Sequence, residues 1–250
     1  MQHRLLALGR GRLGDATALL PQRGRAMAQA LSYQNRILSR LSKSDFQLLE
    51  PHLGPTDLPV RRVLERRGKP IKSVYFPETG FASVVANGSG RPIEVGVIGR
   101  EGMTGLPVVL GGDRNEHETF IQAAGHGHSI PAQRLREGMG KSSTLQASFL
   151  RYVQAFLTQT AQTVVANGRC KIEERLARWL LMADDRIDSE ELPLTHEFLA
   201  IMLAVRRPGV TVAVQELERE GLITRKRGRI ILLDRNALEK MSNGTYAPPE

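Results

Sequence analysis

The sequence predicts an α+β chain: an N-terminal antiparallel barrel or β-roll, one long helix, and a C-terminal winged helix-turn-helix. Three observations carry that prediction. Over residues 58–130 short apolar runs alternate with glycine and proline, the pattern of many short strands joined by turns. Over 143–165 apolar residues recur at spacings of three and four without a break, which places them along one side of a helix. Over 194–233 two short amphipathic stretches flank a three-residue break and run into a basic hairpin, the arrangement of a helix-turn-helix with a wing.

Taken in order, residues 1–30 are rich in Arg and Gly and lack sustained periodicity, so they are expected to be a disordered tail. Translation starting at Met27 would make them an upstream extension. The roll is expected over 31–141. It opens with two short helices in 35–53, the first carrying Ile37, Leu38 and Leu41, the second capped at Ser44 and Asp45 ahead of Phe46, Leu48 and Leu49. Strand-like runs follow in SVYFPETG, FASVVANG, IEVGVIG and FIQAAG, with turn chemistry at Asn87-Gly88 and Gly111-Gly112. Pro131 then opens a short helix ending near Gly138 or Gly140.

The long helix carries two adjacent apolar stripes, one of Leu145, Phe149, Tyr152 and Phe156, the other of Leu150, Val153, Leu157 and Val164. Two stripes need two partners: the chain's own roll and a second copy of the chain. A dimerisation helix is therefore expected over 142–168, broken at Asn167-Gly168. Ile172, Leu176, Trp179 and Ala183 mark the next helix, which begins the C-terminal domain at 169–242. Residues 184–191 read as a polar connector and 243–250 as a frayed tail.

Composition bounds the function. The chain has 250 residues, 41% of them hydrophobic, enough for ordinary cores in two modest domains. No apolar run approaches the roughly 18 residues of a membrane span, so no membrane partner is expected. The single cysteine, Cys170, excludes an internal disulfide and suits a reducing cytoplasm. The formal charge of +9 points to a polyanionic partner. Residues 190–250 are nevertheless neutral in sum, with nine Lys or Arg against nine Asp or Glu. Local placement of charge therefore has to carry that inference.

In the C-terminal module Thr195 can cap a helix bearing Leu199, Met202 and Leu203, and Ala204, Val205 and Arg206 form the break. If the turn requires a positive φ at Ala204, alanine there would cost roughly 1 kcal/mol. A second helix begins around Pro208, with Val210, Val214 and Leu217 facing the first. Arg207, Thr211 and Gln215, spaced by four, share the opposite edge and can enter a major groove. Gly221 stops the helix, and Gly228 tips a hairpin whose Arg225, Lys226, Arg227 and Arg229 suit phosphate contacts beside Arg206. Thr195 is taken with these residues as part of the DNA-facing surface.

The order of parts and the segments LTHEFLA, VRRPGVTVAVQELEREGLI and RGRIILLDRNALE resemble the Crp/Fnr family of bacterial transcription regulators over roughly residues 33–240. The resemblance implies a sensing roll of the cyclic-nucleotide-binding type, a parallel dimer along the long helices, and paired recognition helices reading a two-fold operator. Base-reading positions fall on Arg207, Pro208 and Val212. Arginine can bind guanine O6 and N7 bidentately, and Val212 can touch a thymine methyl. Cyclic-nucleotide-binding members carry a Gly-Glu pair and, about a dozen residues on, Arg before Ser or Thr. Here Gly105 is followed by Leu106, Glu116, His117 and Glu118 stand where the arginine belongs, and Arg114 lacks the hydroxyl neighbour. Cyclic AMP is thus not expected to bind, and the cysteines of iron–sulfur members are absent.

His117, His126 and His128 form a weak metal pattern, better read as a polar turn, and Cys170 is read as a packed helical cysteine. No nucleophile elbow, P-loop or dinucleotide fingerprint occurs, so the expected protein is neither an enzyme nor a cofactor carrier. The reading is a cytoplasmic, homodimeric, sequence-specific regulator of transcription. Its partners would be double-stranded DNA and a second copy, with RNA polymerase and a small-molecule effector as further candidates. The alternative is a ligand-sensing or protein-interaction module that no longer binds DNA.

Overall fold

The computed structural model describes residues 33–86 and 92–249. The N-terminal tail, the Met27 start and the Asn87-Gly88 turn lie outside the described residues. The first described helices are α1 (Arg36–Arg40) and α2 (Lys43–Leu49). Asn35 caps α1, its Oδ1 accepting from the Ile37 and Leu38 amides, as short polar side chains do at such ends. The cap of α2 is Ser42 and not the expected Ser44 and Asp45. Asp45 lies within the first turn, and its carboxylate accepts hydroxyl hydrogen bonds from Ser142 and Thr144, far along the chain. Those bonds hold its pKa below the usual carboxylate value.

The roll consists of two antiparallel sheets. One is ordered β1 (Gly54–Leu58), β7 (Gly125–Pro131), β3 (Ser73–Pro77); the other β2 (Val63–Glu65), β6 (Glu118–Ala123), β4 (Phe81–Ala86), β5 (Ile93–Ile98). The expected strand runs are present as β3 to β6, but β7 corrects the polar turn expected around His126 and His128. Gly127 pairs with Thr56 on one side and Pro77 on the other. Its glycines disguise the strand: a Cβ at Gly125 would lie 1.9 Å from the Thr79 carbonyl oxygen, and one at Gly127 2.2 Å from that of Phe76. Close backbone approach excluded the β-branched residues that announce a strand. His126 accordingly stands beside Thr79, with Nδ1 3.0 Å from the hydroxyl.

After α3 (Leu106–Val109) in the β5–β6 connection, α4 (Ala132–Lys141) follows β7. It passes through Gly138 and Gly140, where the sequence suggested a stop. Helix α5 spans Ser143–Arg169 in 27 residues, running through Asn167-Gly168 instead of breaking there. The Cys170 amide still reaches the Ala166 carbonyl at 3.0 Å, so the intrahelical ladder outweighs the weak helix propensity of that pair. Cys170 is the C-cap of α5 and precedes the next helix, so it is not the helical residue expected. Burial and nearby Glu174 push its thiol pKa up.

Helix α5 divides into faces. Leu145, Phe149 and Val153 are buried, joining Val74, Phe76, Met103, Ile130 and Leu135 in one core. Leu150, Leu157 and Val164, seven residues apart, are 41%, 61% and 66% exposed. A second core crosses from roll to C-terminal region. It joins Phe81, Val97 and Ala123 to Leu176, Trp179 and Leu180 of α6 (Ile172–Asp184). Trp179 lies edge-on to Phe81 and Phe198, at 6.2 and 5.9 Å between centroids.

Polar groups are buried with that seam. Trp179 Nε1 donates to Glu94 at 2.6 Å and Ser83 Oγ to the other oxygen at 2.5 Å. Burial pushes the Glu94 pKa up to about 7, against the lowering effect of both hydrogen bonds and of Arg178 and Arg186. Arg186, fully buried, pairs with Glu101 at 2.7 Å.

Candidate nucleic-acid interface

Residues 196–232 build the candidate interface from α7 (His196–Met202), α8 (Arg207–Arg219), β9 (Ile223–Lys226) and β10 (Arg229–Leu232). Thr195 caps α7, accepting from the Phe198 amide at 3.3 Å. Leu199 and Met202 face inward, and Val210, Val214 and Leu217 of α8 are fully buried against them. Each such side chain contributes roughly 1.5–3 kcal/mol by leaving water, so the inner faces fix how α8 is presented.

Ala204 takes φ +51°. The Val205 amide bonds back to the Ala200 carbonyl at 3.0 Å, a Schellman closure that demands a left-handed residue at Ala204. The same device ends α8, where Gly221 has φ +72° and the Leu222 amide reaches the Leu217 carbonyl at 2.9 Å. Arg175 of α6 also donates to the Leu203 carbonyl, fastening the turn from behind.

The outer edge of α8 carries Arg207, Val212 and Gln215, all exposed; Arg206 is its exposed N-cap and Pro208 lies in its first turn. Arg206 and Arg207 make no ion pair among the described residues. Thr211 is half-buried and already engaged: its hydroxyl donates to the Arg207 carbonyl at 3.2 Å and lies 3.0 Å from His196 Nδ1. His196 was not singled out in the sequence, because fifteen residues separate it from Thr211 and no periodicity relates them. Partial burial, then the charges of Arg225 and Arg207, hold its pKa below the usual value.

The wing differs from a simple row of phosphate-seeking cations. Residues 184–191 do not all form a connector: Glu191 begins β8 (Glu191–Leu192), a third strand on the outer side of β10. Its carboxylate pairs with Lys226 at 2.7 Å and with Arg229. Glu218 at the end of α8 takes Arg225, with Nε 2.7 Å away. Arg227, exposed at the tip beside Gly228 (φ +72°), has no acidic partner among the described residues. Unpaired charge thus gathers at Arg206, Arg207 and Arg227. Surface pairs of this kind are worth little, so Lys226 and Arg225 remain exchangeable toward phosphate.

At the far end of the roll, Glu65 is buried and accepts from the Gly105 amide at 2.5 Å, Asn115 Nδ2 at 2.6 Å and the Thr119 hydroxyl at 3.2 Å. Arg114 is exposed and paired with Asp113 at 3.5 Å. One internal carboxylate therefore ties together Gly105, Asn115 and Thr119 across the β5–β6 connection.

Residues 174–241 match the family model described as the Crp-like helix-turn-helix domain. No curated protein sequence matches the chain. Similar solved structures include a transcriptional regulator of the Crp/Fnr family from Eubacterium rectale, with TM-score 0.66 and 18% identity over 84% of this chain and 98% of that one. A Crp-family regulator from Thermus thermophilus has TM-score 0.62 and 20% identity over 78% and 98%. FixK2 from Bradyrhizobium japonicum has TM-score 0.65 and 16% identity over 76% and 96%. The chain thus carries a Crp-like helix-turn-helix domain at residues 174–241, within the β-roll and helix-turn-helix fold of the Crp/Fnr transcription regulators.

Proposed function

We propose that this protein is a sequence-specific, DNA-binding transcription regulator that works as a homodimer and does not respond to cyclic AMP. The observation that carries the reading is the outer edge of α8, where Arg207, Val212 and Gln215 are exposed on a helix whose opposite face is locked into the core. A helix so mounted enters a major groove with Arg207 at guanine, Val212 against a thymine methyl, and Arg206, Arg225, Lys226 and Arg227 at phosphates. Thr195 at the N-terminus of α7 adds a phosphate-facing group. Thr211 serves as a brace between the two helices more than as a base reader.

The dimer reading rests on Leu150, Leu157 and Val164, a heptad-spaced apolar row left in water. Two copies of that row form a seam and hold two recognition helices at a fixed spacing. Roll (31–141), dimerisation helix (142–168) and DNA-binding domain (169–242) then divide the labour. Independence of cyclic AMP is supported by Leu106 where the Gly-Glu pair would need a carboxylate, and by Glu116, His117 and Glu118 where the arginine would stand. RNA polymerase would be the further partner of an activating form, in the cytoplasm.

Selection from a random DNA library by the purified protein, at near-physiological salt, tests the reading. A two-fold site with half-sites about one helical turn apart is the expected result. Binding without sequence preference, or no binding in the presence of cell extract, would favour an interaction module instead.

A further inference from the structure

A cavity of about 570 Å³ opens between α1, the middle of α5, α6 and the C-terminal segment 245–249. Its volume lies within the range of small-molecule sites. Five arginines line it, Arg36, Arg40, Arg151, Arg178 and Arg186, against the single carboxylate of Glu101. That carboxylate is committed to Arg186 at 2.7 Å. The remaining four form no ion pair among the described residues. Arg36 donates to the Pro249 carbonyl at 2.7 Å and Arg178 to the Thr245 carbonyl at 2.9 Å, both neutral acceptors. Arg178 is only 6% exposed, and burial pushes its pKa down to about 10. Arg36 is half-buried and Arg40 and Arg151 are exposed, and their planar guanidinium forks match phosphate oxygens in pairs.

Ile37, Phe156 and Pro248 supply apolar wall in the same cavity. The α5 residues that reach it, such as Arg151, Ala155 and Thr158, lie on a third face of the helix, between the roll-packed face and the exposed Leu150–Leu157–Val164 row. The cavity is distinct from the Glu65–Gly105 cluster inside the roll. We propose that this cavity binds a small phosphate-bearing ligand with an apolar body, its phosphates held by Arg36, Arg40 and Arg151 and its body against Phe156 and Pro248. Because the ligand would bridge α5 to the segment that follows the DNA-binding domain, its binding would bias how that domain is held. This last consequence rests on the regulator reading; the binding itself does not.

The test is a fluorescence titration of the full-length protein with N-methylanthraniloyl-GDP, without DNA, alongside competition by unlabelled GDP and by inorganic pyrophosphate. The expected result is saturable binding with Kd below about 1 mM, weakening as salt rises. Arg40→Glu combined with Arg151→Glu, both at exposed positions, should weaken it at least about tenfold, and Ala155→Trp, which fills the cavity from an exposed helical position, should do the same. GDP should compete more strongly than pyrophosphate. No saturable binding of either compound to folded protein up to about 1 mM would overturn the proposal, as would binding unaffected by both variants. Pyrophosphate competing as well as GDP would overturn the apolar half of the assignment. Since no DNA is present, failure here leaves the DNA-binding reading standing, and failure to select DNA leaves this site standing.

Discussion

Replacing Glu94 by glutamine should remove a pH dependence built into the seam between roll and helix-turn-helix. Glu94 is fully buried between Ser83 and Trp179, and its pKa rises from the ordinary 4.5 to about 7 because burial disfavours the charge. The folded state therefore holds this proton more tightly than the unfolded chain. Below the unfolded value both states are protonated and the full stability is present. As pH rises the unfolded chain releases its proton first, so stability declines from about 4.5 to about 7 and levels off above. At 1.36 kcal/mol per unit the total is about 3 kcal/mol. Glutamine keeps an acceptor for Trp179 Nε1 and does not titrate. Urea denaturation at a series of pH values between about 5 and 8 should show wild-type stability falling while Glu94→Gln stays flat relative to it. Parallel pH profiles for the two proteins would refute the reasoning, whatever the offset between them.

Four further outcomes are expected. Leu157→Asp places a charge on the exposed apolar row, so light scattering should report a monomer where wild type is a dimer, with circular dichroism unchanged; a monomeric wild type would remove the dimer from the proposal. Ala204→Gly relieves the left-handed alanine at φ +51° and should raise stability by up to about 1 kcal/mol, less the entropy glycine adds to the unfolded chain; a loss of stability would mean that the Ala204 methyl packs favourably. Arg207→Ala should cost roughly 1–3 kcal/mol per half-site and relax preference at one base pair; unchanged selectivity would move the reading edge elsewhere on α8. Arg227→Ala should weaken all DNA sequences alike and lower the salt slope by about one, since this wing cation has no acidic partner among the described residues.

The C-terminal module was legible because its signals are local. A cap at Thr195, an apolar stripe at Val210, Val214 and Leu217, and glycines at 221 and 228 each act within a few residues, and all point the same way. The conditional statement about Ala204 could be made from sequence for the same reason: a three-residue break leaves little choice of backbone. The roll was legible only in part. Its apolar strands announced themselves, whereas β7, with glycines at 125 and 127, hid because its composition answers to backbone atoms on the neighbouring chain segment, Thr79 and Phe76, and not to its own periodicity.

Fold class, helix-turn-helix, wing and the long helix were thus determined by the sequence itself, since hydrophobic period and turn chemistry act over short distances, but Val153, expected in the outer stripe with Leu150, Leu157 and Val164, packs into the roll core instead. The tertiary structure alone decided which charges are free. Glu191 and Glu218 pair three of the wing cations, His196 engages Thr211, Glu65 takes the Gly105 amide, and Arg36, Arg40 and Arg151 from α1 and α5 gather around one cavity without an ion pair among the described residues. Each pairing joins residues whose separation in the chain carries no periodic signal. Electrostatic partners are chosen by distance in space, and only packing of the elements sets that distance.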